Sequence, residues 1–268
     1  MRMRMRSSKK KRQRRSRSRR SSRHTKKQKQ KQQGGRTYPM TCVSAYFNVK
    51  SKSNSRFSDW FPNTLLINCA YVFFGNKETI EMIKGYRKDL PTHYIEYDLK
   101  DFTTNKWKDQ MSIDENHCPS VELNMIWNEK MYMMKKAAEI NPYGSEWFQW
   151  VDAGICIYRG EKPPTTEYPN PEKLATLPKD KFIFSSSYNY SDQTPIDTIP
   201  HHIAGTSYIL HKDFIPTFID IYTKKMDDLH AEKAMWTDQI VLTRIFRDNP
   251  ELFFKITDGY GEVTRQLY

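Results

Sequence analysis

"MTCVSAYFNV", residues 40–49, is a nearly continuous apolar run rather than an alternating one. A strand with one face in water alternates apolar and polar residues. A strand covered on both faces does not, and such strands belong to the middle of parallel sheets. The run therefore predicts a central strand of an α/β domain. Reading outward, "CAYVFFG" (69–75) and "EWFQWV" (146–151) are two further runs of this kind. "NKETIEMIKGYRKDL" (76–90) has helical spacing through Ile80, Ile83 and Tyr86, with Asn76 as its cap. "SKSNSRFSDWFPNTLLIN" (51–68) reads as a polar loop followed by a helix, and "THYIEYD" (92–98) as an alternating strand. Further on, "KFIFSSS", "PHHIAGTSYILHK" and "ELFFKI" read as strands, and "DFIPTFIDIYTKKM" and "TDQIVLTRIF" as helices. Residues 160–180, with five prolines, read as a surface excursion, and "DGYGEVTRQLY" (258–268) as a polar, turn-rich end. Strands alternating with helices predict a layered α/β sandwich. No GxGxxG follows the first strand, and neither GxxxxGK[ST] nor GxSxG occurs. Dinucleotide-binding dehydrogenases, P-loop NTPases and α/β serine hydrolases are therefore disfavoured.

The net charge of +13 over 268 residues divides unevenly. Residues 1–36 hold 18 Lys/Arg and no acid, leaving 26 Lys/Arg against 31 Asp/Glu, or −5, for the rest. A stretch this polar has no core to bury, so a disordered basic tail over 1–36 and a folded domain over 37–268 are expected. The tail reads as a polyanion binder, for nucleic acid, an import receptor or an acidic membrane surface, or else as a merely solvated extension. Its interleaved serines would let phosphorylation weaken such binding. It lacks the apolar stretch of a secretory signal, and no segment has the length and hydropathy of a membrane span. Cys42, Cys69, Cys118 and Cys156 form no CxxC pair. They predict neither a zinc site nor a disulfide scaffold, and point to an intracellular, reducing setting, cytoplasmic or nuclear.

Two charges stand out against apolar neighbours. Asp152 ends a run built for burial and is followed at once by Ala153 and Gly154. A carboxylate there needs a partner. Ligands of open α/β sheets bind beyond the carboxyl ends of strands. Asp152 therefore reads either as a ligand of a divalent cation holding a diphosphate, or as a turn cap or a partner of a lysine, Lys130 being the obvious one. Gly154 would let a ligand approach the backbone. Residues 121–141, "VELNMIWNEKMYMMKKAAEIN", form the clearest helix, with Leu123, Ile126, Trp127, Met134, Ala137 and Ala138 on one stripe. Lys130 falls on that stripe, where it either snorkels along its stem or reaches a site at the core's edge.

The segments "TCVSAYFNV", "WNEKMYMMKKAAEINPYGSEWFQWVDAGICIYR", "HHIAGTSYILHKDFI", "WTDQIVLTRIFRDNPELFF" and "DGYG" together resemble the bacterial HtrL/YibB-like family over about residues 40–268. That resemblance implies a GT-A-type glycosyltransferase fold: a three-layer sandwich on a mainly parallel central sheet. It also implies a nucleotide-sugar donor, an acceptor that is a glycan or a protein, and assistance by Mn²⁺ or Mg²⁺. Transferases of this fold usually carry Asp-x-Asp; here the triplet is Trp150-Val151-Asp152, so Asp152 would be the one metal ligand left. Lys130 would share the phosphate charge. Asp238, in "WTDQ", would be the base toward the acceptor, or else an acid stabilised by its helix dipole. By the same likeness Arg56, Trp60 and Gly154 would lie on the donor side, and His202, Gly205 and Trp236 on the acceptor side. For His202 and Trp236 the competing reading is a packed structural residue. A catalytically degenerate member carrying a polyanion-binding tail is the competing function.

Overall fold

The computed structural model describes residues 36–51, 54–187, 201–233 and 235–268. All of the basic tail except Arg36 lies outside them. The compact unit spans Gly35–Tyr268.

The apolar runs become strands β1 (Met40–Ala45), β2 (Ala70–Gly75) and β4 (Trp147–Val151), each buried along almost its whole length. With β3 (Thr92–Glu96), β5 (Phe182–Ser186), β6 (Ile203–His211) and β7 (Phe253–Asp258) they form one seven-stranded sheet, ordered β3-β2-β1-β4-β6-β5-β7. Pairs β1–β2, β2–β3, β1–β4 and β5–β7 are parallel; β6 runs antiparallel to both β4 and β5. The expected α/β class and mainly parallel sheet are thus observed. Successive strands β1, β2 and β3 step one way, whereas β4 joins the other side of β1. The order therefore reverses between β1 and β4, and a crevice opens beyond their carboxyl ends.

Helices cover both faces. One core packs α3 (Val121–Ile140), α5 (Ile215–Ala231) and α6 (Asp238–Asp248) on the sheet; the other packs α1 (Phe57–Thr64), α2 (Lys77–Arg87) and the C-terminal α7 (Glu262–Gln266). Asn76 caps α2 as expected, its side chain accepting from the Thr79 N–H. Ser120 does the same for α3 through Leu123. Pro216 sits in the first turn of α5, where no N–H is missed.

Two segments differ from expectation. Residues 160–180 are not only surface. They contain α4 (Pro171–Ala175) and bury Tyr168, Leu174 and Leu177, with the Tyr168 hydroxyl donating to Gln149 Oε1. The polar end contains α7, which buries Val263, Thr264 and Leu267. Both helices have five residues, too few for a hydrophobic period to show in sequence. Helix α3 is also buried more widely than its stripe, over Asn124, Asn128 and Glu129 as well as Met131–Met134, because α5 and α6 cover its other side. Glu129 is held without a cation: it accepts from the Thr103 and Thr104 N–H groups and from the Tyr97 hydroxyl. All four cysteines are free thiols.

Candidate active site

The crevice at the end of β1 and β4 holds a cavity of about 350 Å³. Its floor is a buried charge cluster. Lys130, on α3, is 4% exposed, and three oxygens lie within 3.1 Å of its ammonium. They are the Gly205 carbonyl at 2.9 Å, Asp238 Oδ2 at 3.0 Å and Asp152 Oδ1 at 3.1 Å. The bond to Gly205 is aligned, and the carboxylates are held as ion pairs. Lys130 therefore turns its ammonium inward to the crevice floor, where it is also the lysine partner of Asp152. An ammonium has three donors, so Lys130 has none left for a phosphate.

Backbone register brings these groups together. β1 and β4 run in parallel with Val43 opposite Trp150, which places Asp152 just beyond the strand ends. The Asp152 N–H donates to the Thr206 carbonyl of antiparallel β6, so Gly205 lies alongside. Asp238 opens α6, and that helix start is tied down twice. Asn128 Nδ2 of α3 donates to the Trp236 carbonyl, while Gln239 Nε2 donates to the Ile203 carbonyl of β6. Asn128 is oriented in turn by Asn124 Oδ1 and by the Tyr222 hydroxyl. These asparagines were missed in sequence; their signal was an i, i+4 amide pair in the first half of the helix.

The two carboxylates differ. Asp152 accepts from Trp150 Nε1 at 2.7 Å through the oxygen that faces Lys130, and its side chain is 30% exposed. Its Oδ2 has no partner among the described residues. The tryptophan that stands where an Asp-x-Asp motif has its first acid is thus a hydrogen-bond donor to the second. Asp238 is 3% exposed, and no aligned hydrogen bond reaches its Oδ2. Burial raises its pKa, and the Asp152 charge adds to this, against the pull of Lys130. For Lys130 burial lowers the pKa, but the two carboxylates outweigh it and hold the amine protonated.

Both glycines are explained by protein, not by open space. A Cβ on Gly205 would meet Asp238 Oδ2 and Gln239 Cγ at 2.8 Å, so the position admits the first turn of α6. A Cβ on Gly154 would meet Phe57 Cε1 at 2.8 Å and Trp60 Cε3 at 3.0 Å, so it admits α1. The cavity wall takes Trp60, Gly154, Gly205 and the charge cluster, together with Trp127, read in sequence only as part of an apolar stripe, and Tyr260 and Arg159, which sequence reading passed over. Arg56, Trp236 and His202 are not brought to it. Arg56 is exposed, and Trp236 is 43% exposed with only its carbonyl engaged inward. His202 is buried between the Phe184 and Phe246 rings, with Nδ1 3.2 Å from Ser186 Oγ.

Among the described residues no three His, Cys, Asp or Glu side chains gather as a metal site. A cation bridging Asp152 and Asp238 does not fit, because the Lys130 ammonium already holds that place. One carboxylate oxygen, Asp152 Oδ2, fits a cation whose other ligands come with a substrate. A wider hollow of about 830 Å³ over α3 and α5 includes Lys135, Glu139, Lys224 and Asp227. These charges pair with near neighbours on the surface and build no comparable cluster.

A family model described as "Bacterial protein of unknown function (HtrL_YibB)" matches residues 77–265. No curated protein matches. Among solved structures, mouse xyloside xylosyltransferase 1 in its apo form is similar over 83% of this chain and 85% of that one, at 12% identity and a TM-score of 0.46. The 4-diphosphocytidyl-2C-methyl-D-erythritol synthase of Anaerococcus prevotii is similar over 85% and 91%, at 11% identity and a TM-score of 0.39.

Proposed function

The chain belongs to the HtrL_YibB family, and from that premise we propose that it is a GT-A-type transferase moving a sugar from a nucleotide-sugar donor to an acceptor hydroxyl. One observation carries this. Asp238 Oδ2 is a buried carboxylate oxygen with no aligned donor, on the wall of a crevice where ligands of such sheets bind. A carboxylate with a raised pKa, held beside the Lys130 ammonium, suits the removal of a proton from a hydroxyl. Lys130 is a positioning residue that keeps two acids close together without mutual repulsion. Trp127 offers a face for a base or a sugar, while a face of Trp60 is taken by the Arg159 guanidinium. Asp152 Oδ2 would hold Mn²⁺ or Mg²⁺ arriving with the diphosphate; such an ion supplies charge neutralisation to the leaving group, and a single protein carboxylate is within its habit.

The test is a thermal-shift screen of the protein against nucleoside diphosphates, with and without Mn²⁺. At least one should raise the melting temperature, more so with Mn²⁺. Asp152→Asn should lose the metal-dependent part by about tenfold in affinity, as expected for one charged contact. Asp238→Asn should keep nucleotide binding and lose sugar transfer. No shift with any diphosphate would refute the reading. A second reading, a degenerate binding protein, is favoured by Trp150 standing in place of an acid. It predicts nucleotide binding unaffected by Asp152→Asn and no turnover of any donor. In either reading the basic tail is proposed to hold a polyanion.

A further inference from the structure

We propose that Arg159 is the anchor for the phosphate oxygens of the nucleoside diphosphate, an assignment that rests on the nucleotide-sugar reading of this cavity. With Lys130 surrounded by three oxygens, the floor is one positive charge against two negative ones. A diphosphate approaching it needs a cation elsewhere. Arg159 lines the same cavity, and its guanidinium lies over the Trp60 ring at 3.8 Å. Its Nε–H donates to the Gly154 carbonyl at 2.8 Å, two residues beyond Asp152. These two contacts fix the plane of the group. Nη1 and Nη2 make no hydrogen bond or ion pair among the described residues, so four N–H donors remain for a ligand. Among the described residues no acid forms an ion pair with the side chain, and Asp152 acts on it only from a distance. A planar guanidinium held on an aromatic face with its fork open matches two phosphate oxygens, and its order is established before the ligand arrives.

The local chain is arranged for this. Gly154 lacks a side chain because Phe57 and Trp60 press against it. That close approach brings the Trp60 ring within reach of Arg159. A side chain at 154 would push α1 away and leave the guanidinium without its platform.

The experiment uses the full chain and measures affinity by calorimetry for a nucleoside diphosphate, for the matching nucleoside and for inorganic pyrophosphate. Variants are Arg159→Met, which keeps a stem over Trp60, and Arg159→Lys, which keeps the charge without the fork. Melting temperatures confirm folding. Both variants should bind the diphosphate and pyrophosphate roughly tenfold or more weakly, the loss expected for charged hydrogen bonds, and bind the nucleoside like wild type. Diphosphate binding unchanged in both variants, with the nucleoside also bound, overturns the assignment to Arg159 and leaves the nucleotide-sugar reading standing. Pyrophosphate binding that depends on Arg159, with no nucleotide bound, supports the anchor and overturns the donor reading. Wild-type protein that binds no phosphate compound overturns both. Phosphate binding that persists equally in every variant with no binding of the nucleoside is attributed to the basic tail and overturns both the anchor and the donor reading.

Discussion

Lys130 shows how far one residue departs from its local pattern. Its place on an apolar stripe left two readings open, and the three oxygens around its ammonium decide for an inward charge. The same contacts separate it from direct phosphate binding, which its charge alone would invite. Removing it would leave Asp238 buried and Asp152 beside it, both negative and neither compensated. Lys130→Met should therefore destabilise the protein by about 3–5 kcal/mol, the range for breaking a buried pair from one side. Adding Asp238→Asn should restore part of that loss. Urea unfolding of the three proteins measures it. A loss under about 1 kcal/mol would mean that the lysine only covers apolar surface with its stem.

At the scale of elements, β6 is the piece on which the site depends. It runs antiparallel between β4 and β5, presents Gly205 to Lys130 and α6, and is preceded by His202. His202 packs at this junction, between Phe184 and Phe246, and does not line the cavity. Burial between Phe184 and Phe246 pushes its pKa down to about 4, with Lys255 adding to the shift and Asp258 opposing it. A histidine with a depressed folded pKa binds fewer protons folded than unfolded. The stability tied to it is present above pH 6.5 and is lost as pH falls toward 4. At 1.36 kcal/mol per pKa unit the full loss is about 3 kcal/mol. Wild type should therefore lose about that much more stability than His202→Gln between pH 6.5 and pH 4, read from urea unfolding at the two pH values. Equal losses would show that His202 does not govern the acid sensitivity. Nucleotide affinity should not change in this variant, since the imidazole is not brought to the cavity.

For the whole molecule, the net charge divides into two parts of opposite sign. The described residues form a mildly acidic domain whose ion pairs are mostly exposed and worth little each. The basic residues concentrate in 1–36, where 18 Lys/Arg face no acid. The full chain should bind heparin with an affinity that falls steeply as salt rises, because each phosphate or sulfate neutralised releases counterions. Residues 37–268 should pass through at the same salt. Equal retention of the two on a heparin column would place the polyanion site in the folded domain. Among the described residues no helix is long and apolar enough to cross a membrane.

By itself the sequence determined the α/β class, the central strands and the cap at Asn76, because each of these depends on neighbours within a few residues. Continuous apolar runs at 40–49, 69–75 and 146–151 marked buried strands, and Asn76 marked a helix start; the structure has them all. It also marked Asp152 and Lys130 as charges needing an explanation, while Asp238 was singled out only by the family resemblance. Only the tertiary structure decided what each one meets. Residues 130, 152, 205 and 238 are joined by the register of β4 against β6 and by the asparagines that fix the start of α6. The direction of Arg159 is likewise set by Trp60, a residue 99 positions away in the chain. The two short helices at 171–175 and 262–266 appear only where the sheet gives their few apolar residues something to cover. Periodicity reports whether a side chain is buried; the partner it is buried against is fixed by contacts between distant segments, which no local pattern encodes.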